Sequence, residues 1–275
     1  MRKLLIVRVI RSGAVLLIAA SWAAFAQTPD AQFQVASVKR SGTCGKVVRP
    51  LPGGRLRASA TLGVFIGQAF NIPAVQVLGG PAWVASDCYQ IDAVADGNPS
   101  DDQVFAMLRS LLEGRFQLKT HAQKKELPVY LLQPAKGGLK LPPPQERNCW
   151  PPDAPPQPPA RGRLPNFFKC GRIISGGGAD AEVLKGGSVQ VPELVRVLSI
   201  IIGRPVIDKT GFLGTFDVNV TFAAQPEPSA DAPADRPPFP NIFVALEEQL
   251  GLKLKSERAP VDVLVIDGAQ RPSSN

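Results

Sequence analysis

The chain predicts an α+β fold made of two small α/β halves of like order, helix–strand–helix–hairpin, joined by a proline-rich linker. Three observations carry this reading. Apolar spacing alternates along the chain between a period of three to four residues and a period of two, the marks of helix and strand. Residues 107–119 (MLRSLLEGRFQLK) line up with 245–255 (ALEEQLGLKLK) once two residues are gapped, and 127–133 (LPVYLLQ) line up with 259–266 (APVDVLVI). Between the two sets lie ten prolines in residues 141–165, which remove too many N–H donors for a helix or an inner strand.

The elements follow in order. Residues 1–11 carry Arg2, Lys3, Arg8 and Arg11 and no acid, and residues 13–26 are apolar but 14 long, against the roughly 20 a membrane-spanning helix needs. That run closes on Ala24-Phe25-Ala26, an A-x-A cleavage pattern. A secretory signal peptide over 1–26, cut after Ala26, is therefore expected in preference to a retained anchor. Its removal leaves 27 − 23 = +4 of charge. The leader implies export to the periplasm or beyond, where nucleic acid is seldom met, and the remaining basic residues are scattered without interleaved aromatics, so no nucleic-acid partner is expected. No later segment is long and apolar enough to span a membrane.

The first half, 27–140, opens with an alternating strand at 33–38 and a strand at 56–59 that enters a helix at 62–70. A Gly-Pro loop holding Trp83 leads to a strand at 89–94. The next helix is capped by Ser100 or Asp101, with Phe105, Leu108, Leu111 and Leu112 on one stripe. Strands at 117–123 and 128–133 complete a hairpin. After the linker, 141–170, the second half covers 171–275. Its helix at 192–202 starts on Pro192, where a missing N–H costs little. A short strand at Val206, a turn at Asp208 and a strand at 216–222 follow. Residues 225–240, with six prolines, are expected to form a mobile excursion. A helix bearing Phe243, Leu246 and Leu250 and a hairpin of 253–257 and 261–266 end the chain.

Chemistry is sparse. Four cysteines, Cys44, Cys88, Cys149 and Cys170, follow the leader, and an even count in an oxidising compartment favours disulfides. Three pairings are open. Cys149–Cys170, which flank one proline-rich loop, is the first choice, with Cys44–Cys88 the complement. A metal site is not expected: there is no C-x-x-C, and His121 is the sole histidine. Nor is a cofactor. Asp208-Lys209-Thr210-Gly211 opens like the phosphorylated loop of cation pumps, but Phe212-Leu213-Gly214 breaks the continuation and no following magnesium motif exists, so a turn is expected. His121 sits among lysines on a strand, without a G-x-S-x-G serine, and gives no Ser–His–acid site. A Ser–Lys dyad stays open. Glu247 and Glu248, adjacent on a helix, point apart and read as a solvated face. Gly176-Gly177-Gly178 lacks the Lys-Ser/Thr of a phosphate loop. Trp83 reads first as a plug of the local core and second as a binding anchor. No catalytic residue is assigned.

Six separated segments (FQVASVKR, GGRLRASATLGVFIGQAFNI, VLGGPAWVASDCYQIDAVA, LRSLLEGRFQLKTHAQKKELPVYLL, IIGRPVIDKTGFLGTFDVNVTF and ALEEQLGLKLKSERAPVDVLVID) resemble, in register, the marker segments of the DUF3738 family. These are uncharacterised exported proteins of soil bacteria, abundant in Acidobacteria. The resemblance implies secretion, an α+β fold and no established activity, and it supplies no catalytic residues to carry over. Related domains fused to membrane-embedded sensor peptidases imply sensing or binding outside the cytoplasm. The expectation is a non-catalytic protein that binds a peptide or protein in the cell envelope through an exposed strand edge or loop. The rival is an extracytoplasmic hydrolase with an unrecognised site, which requires a concave pocket gathering polar side chains. Ligand and oligomeric state are left open.

Overall fold

Ser41 ends the first strand, β1 (Val35–Ser41), and each later element follows from a local signal. The computed structural model describes residues 32–45, 48, 50–51, 53–145, 149–150, 168–178, 180–224 and 239–272. The expected leader 1–26, the linker stretch 151–167 and the excursion 225–238 lie outside the described residues. Residues 31–275 form one unit.

After β1 come β2 (Pro50–Leu51), β3 (Arg55–Thr61) and α1 (Leu62–Ala69), started by the Thr61 hydroxyl accepting from Val64 N–H. Then follow β4 (Val77–Gly79), the single turn α2 (Trp83–Ser86), β5 (Cys88–Val94) and α3 (Asp101–Phe116). Ser100, of the two residues offered as cap, is the one used: it forms a capping box with Gln103, bonding in both directions. The strands β6 (Lys119–Pro134), β7 (Cys149–Trp150), β8 (Phe168–Lys169), β9 (Ile173–Gly177) and β10 (Ala181–Val189) lead to α4 (Val191–Ile202). Last are β11 (Val206–Asp208), β12 (Phe216–Ala223), α5 (Ile242–Leu250), capped by Asn241, and β13 (Leu252–Gly268).

The sheets run β1-β5-β3-β2, β12-β10-β9 and, in the centre, β11-β6-β13-β4, with a small parallel pair β7-β8. Phe65, Leu108, Leu112 and Phe116 anchor one core, and Leu194, Leu198, Phe216 and Leu246 another. The central sheet interlocks the two parts. β4 pairs parallel with β13, β11 pairs parallel with β6, and β6 pairs antiparallel with β13 along nearly its whole length.

This corrects the expected hairpins. The segments 117–123 with 128–133, and 253–257 with 261–266, are not two hairpins but two single long strands that pair with each other. Charge and proline in the middle of each suggested a break. The prolines are tolerated for a geometric reason. Tyr130 N–H donates outward to Pro205 O (2.9 Å) and Leu132 O accepts outward from Lys209 N–H (2.8 Å). Even-numbered residues of β6 therefore face away from β13. Pro128 (opposite Arg258) and Pro260 (opposite Glu126) occupy such outward positions, so neither removes a donor from the ladder.

Candidate functional site

A cleft of about 420 Å³ opens where β10, α4 and the second disulfide meet, lined by Cys170, Gly171, Ser188, Gln190, Pro192, Glu193 and Thr215. Its shape begins with two glycines in a strand. β10 shifts register between Gly186 and Val189 against β12, a bulge of the kind that Gly-Gly inside an alternating run signals. A Cβ on Gly186 would come within 2.6 Å of Val189 Cγ2 and 2.9 Å of Arg172 O. The bulge forces Ser188 into the left-handed region (φ 49°), which a non-glycine residue holds only when its surroundings impose it.

Asp217 does the imposing. Its carboxylate is buried, accepting from Ser188 N–H (3.0 Å) through Oδ1 and from Gln145 N–H (3.0 Å) through Oδ2. On the other side Gly171 N–H bonds Gly187 O (2.9 Å) and Cys170 N–H bonds Trp150 O (2.9 Å). Cys170 is bonded to Cys149, with their Cα atoms 4.9 Å apart, and Cys44 is bonded to Cys88 at 5.5 Å. Both pairs match the first choice among the three open pairings, and both suit an oxidising compartment.

Glu193 sits in the first turn of α4, where the helix dipole favours negative charge. Its Oε1 accepts from Ile173 N–H (3.1 Å) and Arg196 Nη2 (2.9 Å), and its Oε2 from Arg196 Nε (2.7 Å). Arg172 Nη1 lies 3.8 Å from Oε2. Every oxygen of the cleft's carboxylate is thus engaged by donors of the fold. Among the described residues no side chain hydrogen-bonds the Ser188 hydroxyl, so no nucleophile–base pair forms there. No group of three or more His, Cys, Asp or Glu among the described residues is placed to hold a metal.

The sheet beside the cleft has two unlike edges. Gly178 N–H bonds Ala181 O (2.9 Å), which fixes the alternation: Gly176 and Ile174 bond β10, while Ile173, Ser175 and Gly177 turn their main-chain groups outward. Glu193 takes the Ile173 N–H. Ser175 and Gly177 are exposed, and their outward groups have no partner among the described residues. The opposite edge, β12, is covered at three of its outward residues, Asp217, Thr221 and Ala223, and leaves only Asn219 between them exposed. Asp217 N–H donates to Pro142 O (2.9 Å) and Ala223 N–H to Pro240 O (2.8 Å). The Gln249 side chain bonds both N–H and C=O of Thr221 (3.1 and 2.9 Å). Sealed edges are how folds avoid unwanted strand addition.

The other residues singled out lie elsewhere. Trp83 is buried, its ring stacked on Phe116 (6.3 Å) and edge-on to Tyr89 (6.1 Å). Arg271 covers it at 5.2 Å while bonding Asp87, which also holds Arg40. Burial, then Asp87, push the Tyr89 phenol above its usual value, and Arg271 and Arg40 pull it partly back. His121 forms an exposed pair with Asp267 (2.8 Å), and Glu247 and Glu248 are exposed on α5. Gly176 and Gly177 belong to β9, which Gly178 follows. The sequence offered a signal for the bulge in Gly186-Gly187. It offered none for Glu193 and Asp217, whose partners are backbone groups distant in the chain.

Asp208 makes a turn. Its Oδ1 accepts from Thr210 N–H (2.7 Å), and Thr210 Oγ1 accepts from Phe212 N–H (3.1 Å). Asp208→Ala should cost on the order of 1 kcal/mol, the worth of one local hydrogen bond, while Asp208→Asn should keep most of that bond. Denaturant titration of both variants checks this, and neither they nor the wild type should take up label from ATP. Equal losses in the two variants would mean that the turn depends on the charge instead.

Among the described residues no helix is long and apolar enough to cross a membrane. A family model whose description reads as a protein of unknown function matches residues 64–269. No curated protein and no solved structure matches the chain.

Proposed function

The chain belongs to the DUF3738 family, and we propose that it is an exported, non-catalytic protein that binds a peptide or a segment of another protein in the cell envelope. One observation carries this reading: an open strand edge lies beside a cleft whose single carboxylate is already saturated by Arg196 and Ile173 N–H. Receptors of extended peptides combine such an edge with a side-chain pocket. Hydrolases need a nucleophile and a base within hydrogen-bonding reach, and the cleft offers a hydroxyl without one. Export to the periplasm or beyond is supported by the basic, apolar, A-x-A order of residues 1–26 and by two disulfides. The expected duplication of one unit draws support from positions that recur at constant spacing. Asn71 and Gly203 both leave their helices with positive φ, Pro73 and Pro205 follow, and Gly79, at the end of β4, and Gly211, three residues past β11, have positive φ again.

The test uses the chain from Gln27 onward, cross-linked in envelope extract and assayed in parallel on chromogenic ester, peptide and glycoside substrates. A discrete cross-linked partner and no turnover above buffer are expected. Turnover that Ser188→Ala abolishes would replace binding with hydrolysis.

A further inference from the structure

We infer that β9 is the docking strand, and that an extended segment of a second protein adds to the sheet β12-β10-β9 along it. The inference rests on the binding reading and specifies its surface. Ser175 and Gly177 each offer an outward N–H and C=O, and Ile173 offers its C=O. These groups match every second residue of an incoming strand. Ser175, Gly176 and Gly177 carry little or no side chain, so the partner's backbone and side chains meet no bulk there.

The Ile173 end of β9 is the cleft end, because Gly171 lines the cleft and Glu193, another lining residue, holds Ile173 N–H. A partner side chain beside that end enters a space bordered by Ser188, Gln190 and Thr215. Those neutral hydrogen-bonding groups suit an uncharged polar side chain such as Ser, Thr, Asn or Gln. Arg196 already neutralises Glu193 and removes the demand for a cation.

A second copy of the chain is a poorer occupant. Two β9 strands paired antiparallel about Ser175 would set Ile173 of each opposite Gly177 of the other. Glu193 occupies the Ile173 N–H, so both Gly177 carbonyls would lack their donor, an unmade bond at each end. A partner strand running parallel to β9 avoids this, because one of its residues gives its N–H to Ile173 C=O and accepts Ser175 N–H on its own C=O.

The probe is the acetylated, amidated hexapeptide Thr-Val-Thr-Val-Thr-Gln, titrated to millimolar concentration into the chain from Gln27 onward while amide hydrogen exchange is read residue by residue. In the free protein the Ser175 and Gly177 amides should exchange fast, and those of Asp217, Thr221 and Ala223 slowly. Peptide should slow Ser175 and Gly177 at least about tenfold and leave the β12 amides unchanged. N-methylation of one alternate set of peptide residues should abolish the effect and methylation of the other set should not. Ser175→Pro, which removes an outward donor without touching the bonds to β10, should bind about tenfold more weakly or not at all. Slow exchange at Ser175 and Gly177 in the free protein would overturn the inference by showing the edge covered, by a second copy if dilution releases it. No slowing with peptide, or equal effects from both methylated sets, would also overturn it. An envelope partner that cross-links while these amides stay unchanged would sink the edge and leave the binding reading standing.

Discussion

Replacing Gly251 with alanine is expected to destabilise the protein by about 3–4 kcal/mol, the joint cost of a left-handed non-glycine residue and of overpacking. Gly251 caps the end of α5 with φ 64° and immediately precedes β13. A Cβ there would press on the Gly138 carbonyl and come within 2.9 Å of Lys140 N. The loop cannot withdraw freely. Ala135 N–H bonds Gly251 O and Lys140 N–H bonds Leu250 O, both at 2.9 Å, so retreat would break the bonds that satisfy the helix end. Gly203→Ala is the control. Gly203 ends α4 with φ 67° but has nothing within 4 Å of an added Cβ, so only the conformational term of about 1 kcal/mol remains. Urea unfolding should show a large fall in midpoint for Gly251→Ala, a small one for Gly203→Ala, and an unchanged slope in both. Equal losses would refute the steric argument.

Removing the Cys44–Cys88 disulfide by paired serine substitutions should cost about 4 kcal/mol, and removing Cys149–Cys170 about 3 kcal/mol, from the loop-closure entropy each returns to the unfolded chain. The difference follows from sequence separations of 44 and 21 residues. Cys44 sits beyond β1, next to the lone bridge between Gly45 and Ala60, and Cys88 starts β5. The bond therefore ties the stretch after β1 to the strand that organises the first sheet. Against a total stability of roughly 5–15 kcal/mol, either loss should be plain in thermal melts. A greater loss from the shorter loop would show that local packing, not chain entropy, dominates.

Much of the local structure was legible in the residues. Ser100 or Asp101 announces the start of α3, the stripe through Leu108 and Leu112 its buried face, and Pro192 the start of α4. Asp208 and Gly211 declare a turn by their own side-chain and backbone preferences. Each of these depends on neighbours a few positions away, which the sequence states outright. The α+β class follows from summing such signals. The cysteine count likewise pointed to disulfides, and both expected pairs form, Cys149–Cys170 around the proline-rich loop and Cys44–Cys88.

Tertiary structure decided the rest. Pro128 and Pro260 look like breaks until the partner strand shows that their nitrogens face outward. The interlocking of β4 with β13 and β11 with β6 joins residues far apart in the chain, and no local pattern specifies such a pairing. Glu193 and Asp217 are ordinary acids in the sequence. They become parts of a site because folding brings Ile173, Ser188 and Gln145 N–H groups to them. Whether a strand edge is largely covered, like β12, or open, like β9, depends on what the distant residues Pro142, Pro240 and Gln249 happen to cover. Backbone hydrogen-bonding groups are identical in nearly every residue, so the sequence names the donors and acceptors, and only the fold decides which of them remain to bind something else.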